Sequence, residues 1–295
     1  MFNGLLPQIQ EGADKALARC ISLVENEVPG YLEFMKQLPA SGVPLIGITG
    51  PPGAGKSTLV DALIGVLVSQ DKKVGVLCVD PSSPFNLGAL LGDRIRMSEW
   101  YNHPNVFIRS LATRGSLGGL HPKIIEISDI MKAAVFDYIV IETVGVGQSE
   151  IEIAGLADCT VVVMVPEAGD EIQTMKAGLM EIADVFVVNK ADRPGADLFV
   201  KNLRQMLAPV FQKAIHEVAI VKTVASQKKG IEELVEKIQI HLAHAITNDK
   251  KCWLLAEKAW HLIQAKRMKN LSKAQLKAEI ENTPGINLYT LVDFK

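Results

Sequence analysis

Short apolar runs and longer helical stretches alternate along the middle of the chain, from Leu45 to about Leu242. Several of these runs are apolar throughout, which is typical of strands in a sheet that is covered on both faces. The pattern therefore predicts an α/β fold with a doubly wound, mostly parallel sheet, whose ligands bind beyond the carboxyl ends of the strands. The predicted strands are LIGIT, VGVLCVD, VFIRSL, DYIVIE, TVVVMV, DVFVVN and EVAIVKTV.

Helical regions flank this middle part on both sides. Residues 5–39 have apolar positions at helical spacing, EVPG is expected to break that helix, and PASGVP at 39–44 is interpreted as a linker. The C-terminal region is helical and has an apolar stripe, which either a partner copy or the chain's own α/β domain must cover. We therefore predict an N-terminal helical extension (1–40), an α/β domain (41–246) and a C-terminal helical arm (247–295). The N-terminal spacing comes from Leu17, Ile21 and Val24, and the C-terminal stripe from Trp253, Ala256, Trp260 and Ile263.

Composition narrows the class of protein. Hydrophobic residues make up 48% of the 295, which is enough for a full core, and the formal net charge of −2 argues against nucleic-acid binding by overall positive charge. The cysteines do not form a C-x-x-C pair, so we expect neither a disulfide framework nor a zinc ribbon, and a reducing compartment fits. The N-terminus lacks the pattern of a signal peptide, and the apolar runs are too short to cross a bilayer. We expect a cytoplasmic protein without a membrane or nucleic-acid partner. The four cysteines are Cys20, Cys78, Cys159 and Cys252.

A glycine-rich loop follows the first predicted strand and precedes a helix, in LIGITGPPGAGKSTLVDAL. It matches the pattern G-x-x-x-x-G-K-[ST], in which backbone N–H groups and the positive end of the helix surround phosphate oxygens. Lys56 would reach the β- and γ-phosphates and act in catalysis, and the Ser57 hydroxyl would bind Mg²⁺. The predicted nucleotide-binding residues of this segment are Gly50, Pro51, Pro52, Gly53, Ala54, Gly55, Lys56, Ser57 and Thr58.

The base is predicted from NKAD, which ends the strand VFVVN. Asp192 can accept two hydrogen bonds from guanine, whereas adenine would leave this carboxylate without its partners. The stem of Lys190 can cover the base, and Asn189 can tie this loop to the phosphate loop. In KTVASQKKG, one strand later, the Ala225 backbone N–H is predicted to meet the guanine oxygen, while Val224 stands where GTPases often carry a serine.

Three carboxylates follow strands or lie in loops that face the predicted phosphate site. Asp80, Asp93 and Glu142, together with Ser57, are therefore candidates for holding Mg²⁺ directly or through water. In TVGVGQSE, Gly145 could sense a γ-phosphate through its backbone N–H, and Gln148 could orient the attacking water. The alternatives are a turn cap at Asp80, a solvated Asp93, and a plain hydrogen-bonding role for Gln148.

Taken together, these motifs resemble the MeaB/ArgK/MMAA GTPases, and the resemblance covers nearly the whole chain. The segments that carry it are GPPGAGKST, VDPSS, LGDRIRM, FIRSLATRGSLGGL, ETVGVGQSE, EAGDEIQTMKAGLMEIAD and VVNKAD. The resemblance implies a P-loop GTPase, a hydrolase that acts on GTP with Mg²⁺. It also implies a homodimer, built by helices outside the G domain, that chaperones an adenosylcobalamin-dependent acyl-CoA mutase, chiefly methylmalonyl-CoA mutase, during cofactor loading and reactivation.

The resemblance also assigns roles to single residues. Glu142 would be this family's own form of the switch acid near magnesium, with a part in catalysis. Residues 167–184 would be a third mobile loop that couples nucleotide state to the mutase, with Lys176 as its catalytic or coupling residue and a solvated lysine as the alternative. Arg109 and Arg114 flank TRGSLGG, where they could touch phosphate or client, or form a structural ion pair.

Other functions are open at this point. A nickel-insertion GTPase would need Cys/His ligands, and His241 with His244 on a lysine-bearing helix favours ordinary surface residues instead. A small-molecule kinase would need an acceptor pocket with its own base, for which the sequence offers no clear candidate. A GTP-dependent switch with another client is the third alternative.

Overall fold

A seven-stranded parallel sheet with helices on both faces forms the centre of the molecule. The description rests on a computed structural model and covers residues 1–80, 97–113, 120–145, 152–167, 182–211, 218–244, 248–268, 270–283 and 285–293. The strand order is β3-β2-β4-β1-β5-β6-β7, and every pair of neighbours is parallel. This confirms the predicted doubly wound α/β fold. The strands are β1 (Leu45–Thr49), β2 (Val74–Asp80), β3 (Val106–Ala112), β4 (Tyr138–Glu142), β5 (Cys159–Met164), β6 (Val185–Val188) and β7 (Ala219–Lys222).

Apolar side chains leave both faces of the sheet, which is why the strand sequences do not alternate between apolar and polar residues. On one face, helices α4 and α7 cover the core; on the other lie α1, α2, α3, α5 and α6. The described helices are α1 (Leu5–Gln10), α2 (Asp14–Glu25), α3 (Tyr31–Met35), α4 (Lys56–Ser69), α5 (Ile124–Lys132), α6 (Ala196–Phe211), α7 (Ile231–His244), α8 (Asn248–Met268), α9 (Lys273–Asn282) and α10 (Leu288–Asp293). Among them, none is both long enough and apolar enough to span a membrane.

The N-terminal helices belong to the same compact unit as the sheet. The predicted apolar positions of α2, Leu17, Ile21 and Val24, are buried in a core shared with α5 and the sheet. The structure has three helices over residues 5–39, because the chain turns at Gly12 (φ 85°) as well as at Gly30 (φ 94°). The first of these turns was not predicted. A positive φ suits glycine, which has no Cβ to clash with the backbone.

The chain forms two compact units, Met1–Thr247 and Asn248–Lys295. Within the second unit, a capping box starts α9: the Ser272 hydroxyl accepts the Gln275 N–H, and the Gln275 side chain accepts the Ser272 N–H. These bonds satisfy amide groups that the first turn of a helix cannot. The predicted division into extension, α/β domain and dimerising arm stays a prediction.

Candidate nucleotide site

The loop between β1 and α4 requires glycine at two positions, because each has a positive φ and lies in close contact with a neighbouring group. Gly50 has φ 139° and Gly55 has φ 86°. A Cβ atom at Gly50 would stand 2.1 Å from the carbonyl oxygen of Val163. A Cβ atom at Gly55 would stand 2.5 Å from the side-chain nitrogen Nδ2 of Asn189. Neighbouring backbone and side chain therefore approach the loop too closely for any other residue. The loop leads directly into the N-terminus of α4, where backbone N–H groups and the helix dipole favour an anion.

Lys56, the first residue of α4, is buried and its ammonium group lies against the loop. Nζ donates to the carbonyl oxygens of Gly50 at 2.9 Å and Pro51 at 3.1 Å. Gly145, which follows β4, lies equally close: a Cβ there would stand 2.4 Å from Lys56 Nζ and 2.2 Å from the Gly50 oxygen. The loop, the lysine and the backbone after β4 therefore meet at one point.

A hydrogen bond between Ser57 and Glu142 joins α4 to the end of β4. The Ser57 hydroxyl donates to Glu142 Oε1 at 2.6 Å, and Glu142 is only 5% exposed. This length is in the range of strong, charge-assisted hydrogen bonds between a hydroxyl and a carboxylate. Behind the pair, the Thr143 hydroxyl donates to the Thr49 hydroxyl at 3.0 Å and fixes the end of β4 beside β1. One hydroxyl and one carboxylate thus share a buried position, and both supply the oxygen ligands that Mg²⁺ prefers.

Asp80 ends β2, the strand next to β4, and is buried. Cys78 is in register with Glu142, so Asp80 lies two residues further toward the carboxyl end of the sheet. Because side chains two residues apart share a face, Asp80 is on the face of the sheet that α4 covers. Ser57, Asp80 and Glu142 therefore come from adjacent elements, and their chemistry fits a magnesium ion.

Asn189 links three loops at the other side of the site. Its side-chain amide donates to the Ala54 carbonyl at 2.9 Å, and its Oδ1 accepts from the Thr223 hydroxyl and from the Ala225 N–H, both at 3.1 Å. The residue is 2% exposed. The Ala225 N–H therefore already has a partner. Its predicted contact with guanine requires this N–H to be shared with Asn189 or transferred from it.

The next residues of the same loop reach the phosphate loop and the surface. Lys190 has φ 56°, and its Nζ donates to the Gly53 carbonyl at 2.8 Å. Asp192 is exposed, which is compatible with its predicted contact with the base. Arg193 forms an ion pair with Glu167, and this hydrogen bond lowers the pKa of the Glu167 carboxyl. Lys190 and Asn189 thus keep the loop that carries Asp192 close to the phosphate loop.

Comparison with known proteins identifies the family that carries this site. The model of a family described as "Methylmalonyl Co-A mutase-associated GTPase MeaB" matches residues 17–279. The chain belongs to the MeaB family. A putative GTPase of Pyrococcus abyssi is 48% identical over 246 residues, which is 82% of this chain and 76% of that protein.

The chain is also similar to part of a longer protein and to a protein of known crystal structure. A fused isobutyryl-CoA mutase of Geobacillus kaustophilus is 37% identical over 238 residues, which is 75% of this chain and 22% of that protein. The crystal structure of an LAO/AO transport system kinase superposes with a TM-score of 0.68 at 24% identity and covers 99% of this chain and 97% of that one. At this identity the structural likeness shows the fold.

Some predicted residues of this MeaB-family site cannot be placed. Asp93, Gln148, Lys176 and Arg114 lie outside the described residues. Arg109 is described, and it forms an ion pair with Glu25 at 3.1 Å, in agreement with the structural alternative. The roles of the remaining site residues in nucleotide and metal binding stay predictions.

Sequence reasoning missed three threonines that hold the site together. Thr49, Thr143 and Thr223 are each at most 1% exposed, and their hydroxyls bond one another or Asn189. A signal for them existed, because each follows or ends an apolar strand where a buried hydroxyl needs a partner. Only the strand order, however, reveals which partner that is.

Proposed function

We propose that this protein binds and hydrolyses GTP with Mg²⁺, and that it is a chaperone of an adenosylcobalamin-dependent acyl-CoA mutase, with methylmalonyl-CoA mutase as the first candidate client. The observation that carries the proposal is the relative from Geobacillus kaustophilus. There, a segment similar to most of this chain is part of a polypeptide named as a fused isobutyryl-CoA mutase. Fusion of two activities in one chain favours a working contact between the corresponding separate proteins.

The phosphate loop supports the nucleotide part of this proposal. Its glycines give room for close backbone approach, Lys56 brings a positive charge, and α4 points its N-terminus at the same place. Ser57, Asp80 and Glu142 would hold Mg²⁺, which when bound neutralises charge on the phosphate oxygens. Because Ser57 and Glu142 are already hydrogen-bonded, their oxygens are held close together in advance.

The geometry around Asn189 supports guanine as the base. Asn189 and Lys190 fasten the loop that ends in Asp192 to the carbonyl oxygens of Ala54 and Gly53. The Asp192 carboxylate would accept hydrogen bonds from the two N–H donors of guanine. We assign Asp93 to magnesium and Gln148 to water orientation, as their positions in the sequence suggest, and Lys176 to client coupling, as the family resemblance implies.

The C-terminal unit supports the homodimer. Its described residues expose nine large apolar side chains between Asn248 and Lys295, and apolar surface of this kind is typical of interaction sites. We propose that a second copy covers them, and that residues 247–295 act as the dimerising arm. The exposed side chains are Leu255, Trp260, Leu262, Ile263, Met268, Ile280, Leu288, Tyr289 and Val292.

The test is GTP hydrolysis by the purified protein, alone and with an adenosylcobalamin-dependent methylmalonyl-CoA mutase. We expect slow hydrolysis by the protein alone, as for GTPases that lack a complete catalytic set, and strong stimulation by the mutase. Lys56→Ala should remove GTP binding or turnover under both conditions. GTP binding without stimulation by any acyl-CoA mutase would refute the client while leaving the nucleotide site intact.

Asp192→Asn tests the base separately from the client. The amide replaces one acceptor by a donor, so preference should move from GTP to XTP, whose C2 carbonyl oxygen, in the place of the guanine amino group, can accept from it. Equilibrium binding of both nucleotides to the variant and to the unmodified protein measures this shift. Unchanged GTP affinity would show that Asp192 does not read the base.

A further inference from the structure

A cysteine, an aspartate and a histidine meet at the edge of the sheet where the strands begin, away from the nucleotide site. Cys159 is the first residue of β5, Asp184 directly precedes β6, and His241 lies in α7. One ligand atom from each, the thiol sulfur, a carboxylate oxygen and a ring nitrogen, lies within 4.8 Å of the other two. The phosphate loop follows β1 at the opposite edge, so this cluster takes no part in the nucleotide site.

We propose that Cys159, Asp184 and His241 form a binding site for a divalent cation of intermediate softness, with Zn²⁺ as the reference ion. Ions of this kind are bound by combinations of sulfur, imidazole nitrogen and carboxylate oxygen, whereas Mg²⁺ and Ca²⁺ prefer oxygen ligands alone. Three protein ligands and one water would complete a tetrahedron.

The spacing of the donors agrees with this assignment. His241 Nε2 lies 3.4 Å from Asp184 Oδ1. Ligand bonds of the usual length place a nitrogen and an oxygen about 3.3 Å apart on a tetrahedral zinc ion. A direct hydrogen bond between the two groups would normally be shorter. The pair therefore already has the separation of two ligands of one ion, and the thiol sulfur lies within 4.8 Å of both donor atoms.

The surroundings hold two of the three ligands in place. Asp184 Oδ2 accepts the Thr160 N–H at 2.8 Å, and the Asp184 N–H donates to the Thr160 carbonyl at 2.9 Å, so the carboxylate keeps Oδ1 directed at His241. Cys159 is fully buried and paired with Ile46 within the sheet. Hydrogen bonds that orient a ligand in this way are typical of metal sites.

The third ligand provides access. The His241 side chain is 21% exposed, so an ion and its water can reach the site from that side. The sequence favoured an ordinary surface residue here, because the helix that carries His241 also carries lysines. A bound ion would join α7 to the first residue of β5 and to Asp184, which precedes β6. It would also fix Asp184, the last residue of the 167–184 segment that is predicted to couple nucleotide state to the mutase.

The test is titration of the nucleotide-free protein with Co²⁺ in a magnesium-free buffer, followed by visible and near-ultraviolet absorption. A thiolate ligand gives a sulfur-to-cobalt charge-transfer band, and a tetrahedral site gives intense visible bands. We expect both bands in the unmodified protein, with competition by Zn²⁺. Cys159→Ser should remove the charge-transfer band, and His241→Gln should weaken Co²⁺ binding at least about 100-fold, beyond what loss of a supporting hydrogen bond costs.

Two matched variants separate this site from other donors of the same kind. The first is His244→Gln: His244 lies on the same helix as His241 but is exposed, with Nδ1 beside the Ile240 carbonyl. The second is Cys252→Ser, which removes the exposed thiol. Both should leave the bands and the affinity unchanged. Bands that survive Cys159→Ser and His241→Gln, or that vanish in either control, would overturn the proposal, as would an absence of cobalt bands in the unmodified protein.

Protection against heat gives a second readout if Cys159→Ser does not fold. An ion that binds the folded state raises the melting temperature with its concentration. Zn²⁺ should raise the melting temperature of the unmodified protein and of His244→Gln, but not of His241→Gln. An equal rise in His241→Gln would place the ion elsewhere and refute the site. Neither readout requires GTP hydrolysis, so failure here leaves the proposed function untouched.

Discussion

Asn189→Ala is the substitution that best tests how the candidate site is held together. Asn189 makes three hydrogen bonds, to the Ala54 carbonyl, the Thr223 hydroxyl and the Ala225 N–H. All three partners belong to residues that are at most 4% exposed. Alanine would therefore remove these three bonds between the loops and leave buried polar groups without them.

The expected loss follows from those three groups. A buried polar group that loses its partner costs about 1–3 kcal/mol, so the lower limit for three groups is about 3 kcal/mol in the free energy of unfolding. Thr223→Val is the matched control, because it keeps the shape of the side chain and removes a single donor. Asn189 Oδ1 then still accepts from Ala225, and the loss should stay near 1 kcal/mol.

Urea unfolding of the nucleotide-free proteins measures both values. The midpoint should fall much further for Asn189→Ala than for Thr223→Val, with similar slopes, because the surface exposed on unfolding is unchanged. GTP affinity should fall together with stability in Asn189→Ala, since among the described residues only the contact from Lys190 to Gly53 would still join the loop that carries Asp192 to the phosphate loop. The reasoning is refuted if both variants lose the same small amount of stability while remaining folded.

Three further substitutions or reactions test other parts of the structure. Gly53→Ala should lower the free energy of unfolding by only about 1–2 kcal/mol, because of the positive φ at this position. Gly55→Ala should lower it clearly more, because its Cβ would also meet the Asn189 side chain at 2.5 Å. Equal losses of stability in urea unfolding would contradict this expectation. Native protein should react with a thiol reagent at Cys252 alone, since the other three cysteines are buried and burial raises the pKa of Cys20 to about 12. Mass spectrometry counts the labels, and a label on Cys20, Cys78 or Cys159 would contradict the burial of that thiol. Trp260→Glu, at a side chain that is 64% exposed, should shift the protein from dimer to monomer in light scattering while changing the unfolding free energy of the monomer by no more than about 0.5 kcal/mol; an unchanged mass would remove Trp260 from the proposed dimer surface.

Elements dictated by local pattern could be predicted from the sequence. All seven strands were anticipated within two residues at either end, because each is a short apolar run bounded by polar or turn residues. The phosphate loop was equally predictable, since its glycines, lysine and serine are adjacent in the chain. Gly12 was missed because a single glycine between two apolar stretches gives a weak signal for a turn.

Contacts that depend on strand order could not be predicted in the same way. The sequence suggested that Asn189 meets the phosphate loop, but the bonds to Thr223 and Ala225 require β6 and β7 to be neighbours. Likewise, Cys159 and His241 come together only because α7 covers the face on which Cys159 lies. Such contacts join residues that are distant in the chain and have no spacing to reveal them.

The shared core of the N-terminal helices has a consequence for anyone who wishes to isolate the nucleotide-binding part. A protein expressed from residue 41 onward would lack Leu17, Ile21 and the other N-terminal members of this cluster, and would leave part of the apolar core around Ile127 uncovered. Arg109 would at the same time lose the carboxylate of Glu25. A useful truncation must therefore keep the first helices, and a shorter fragment is expected to aggregate during expression.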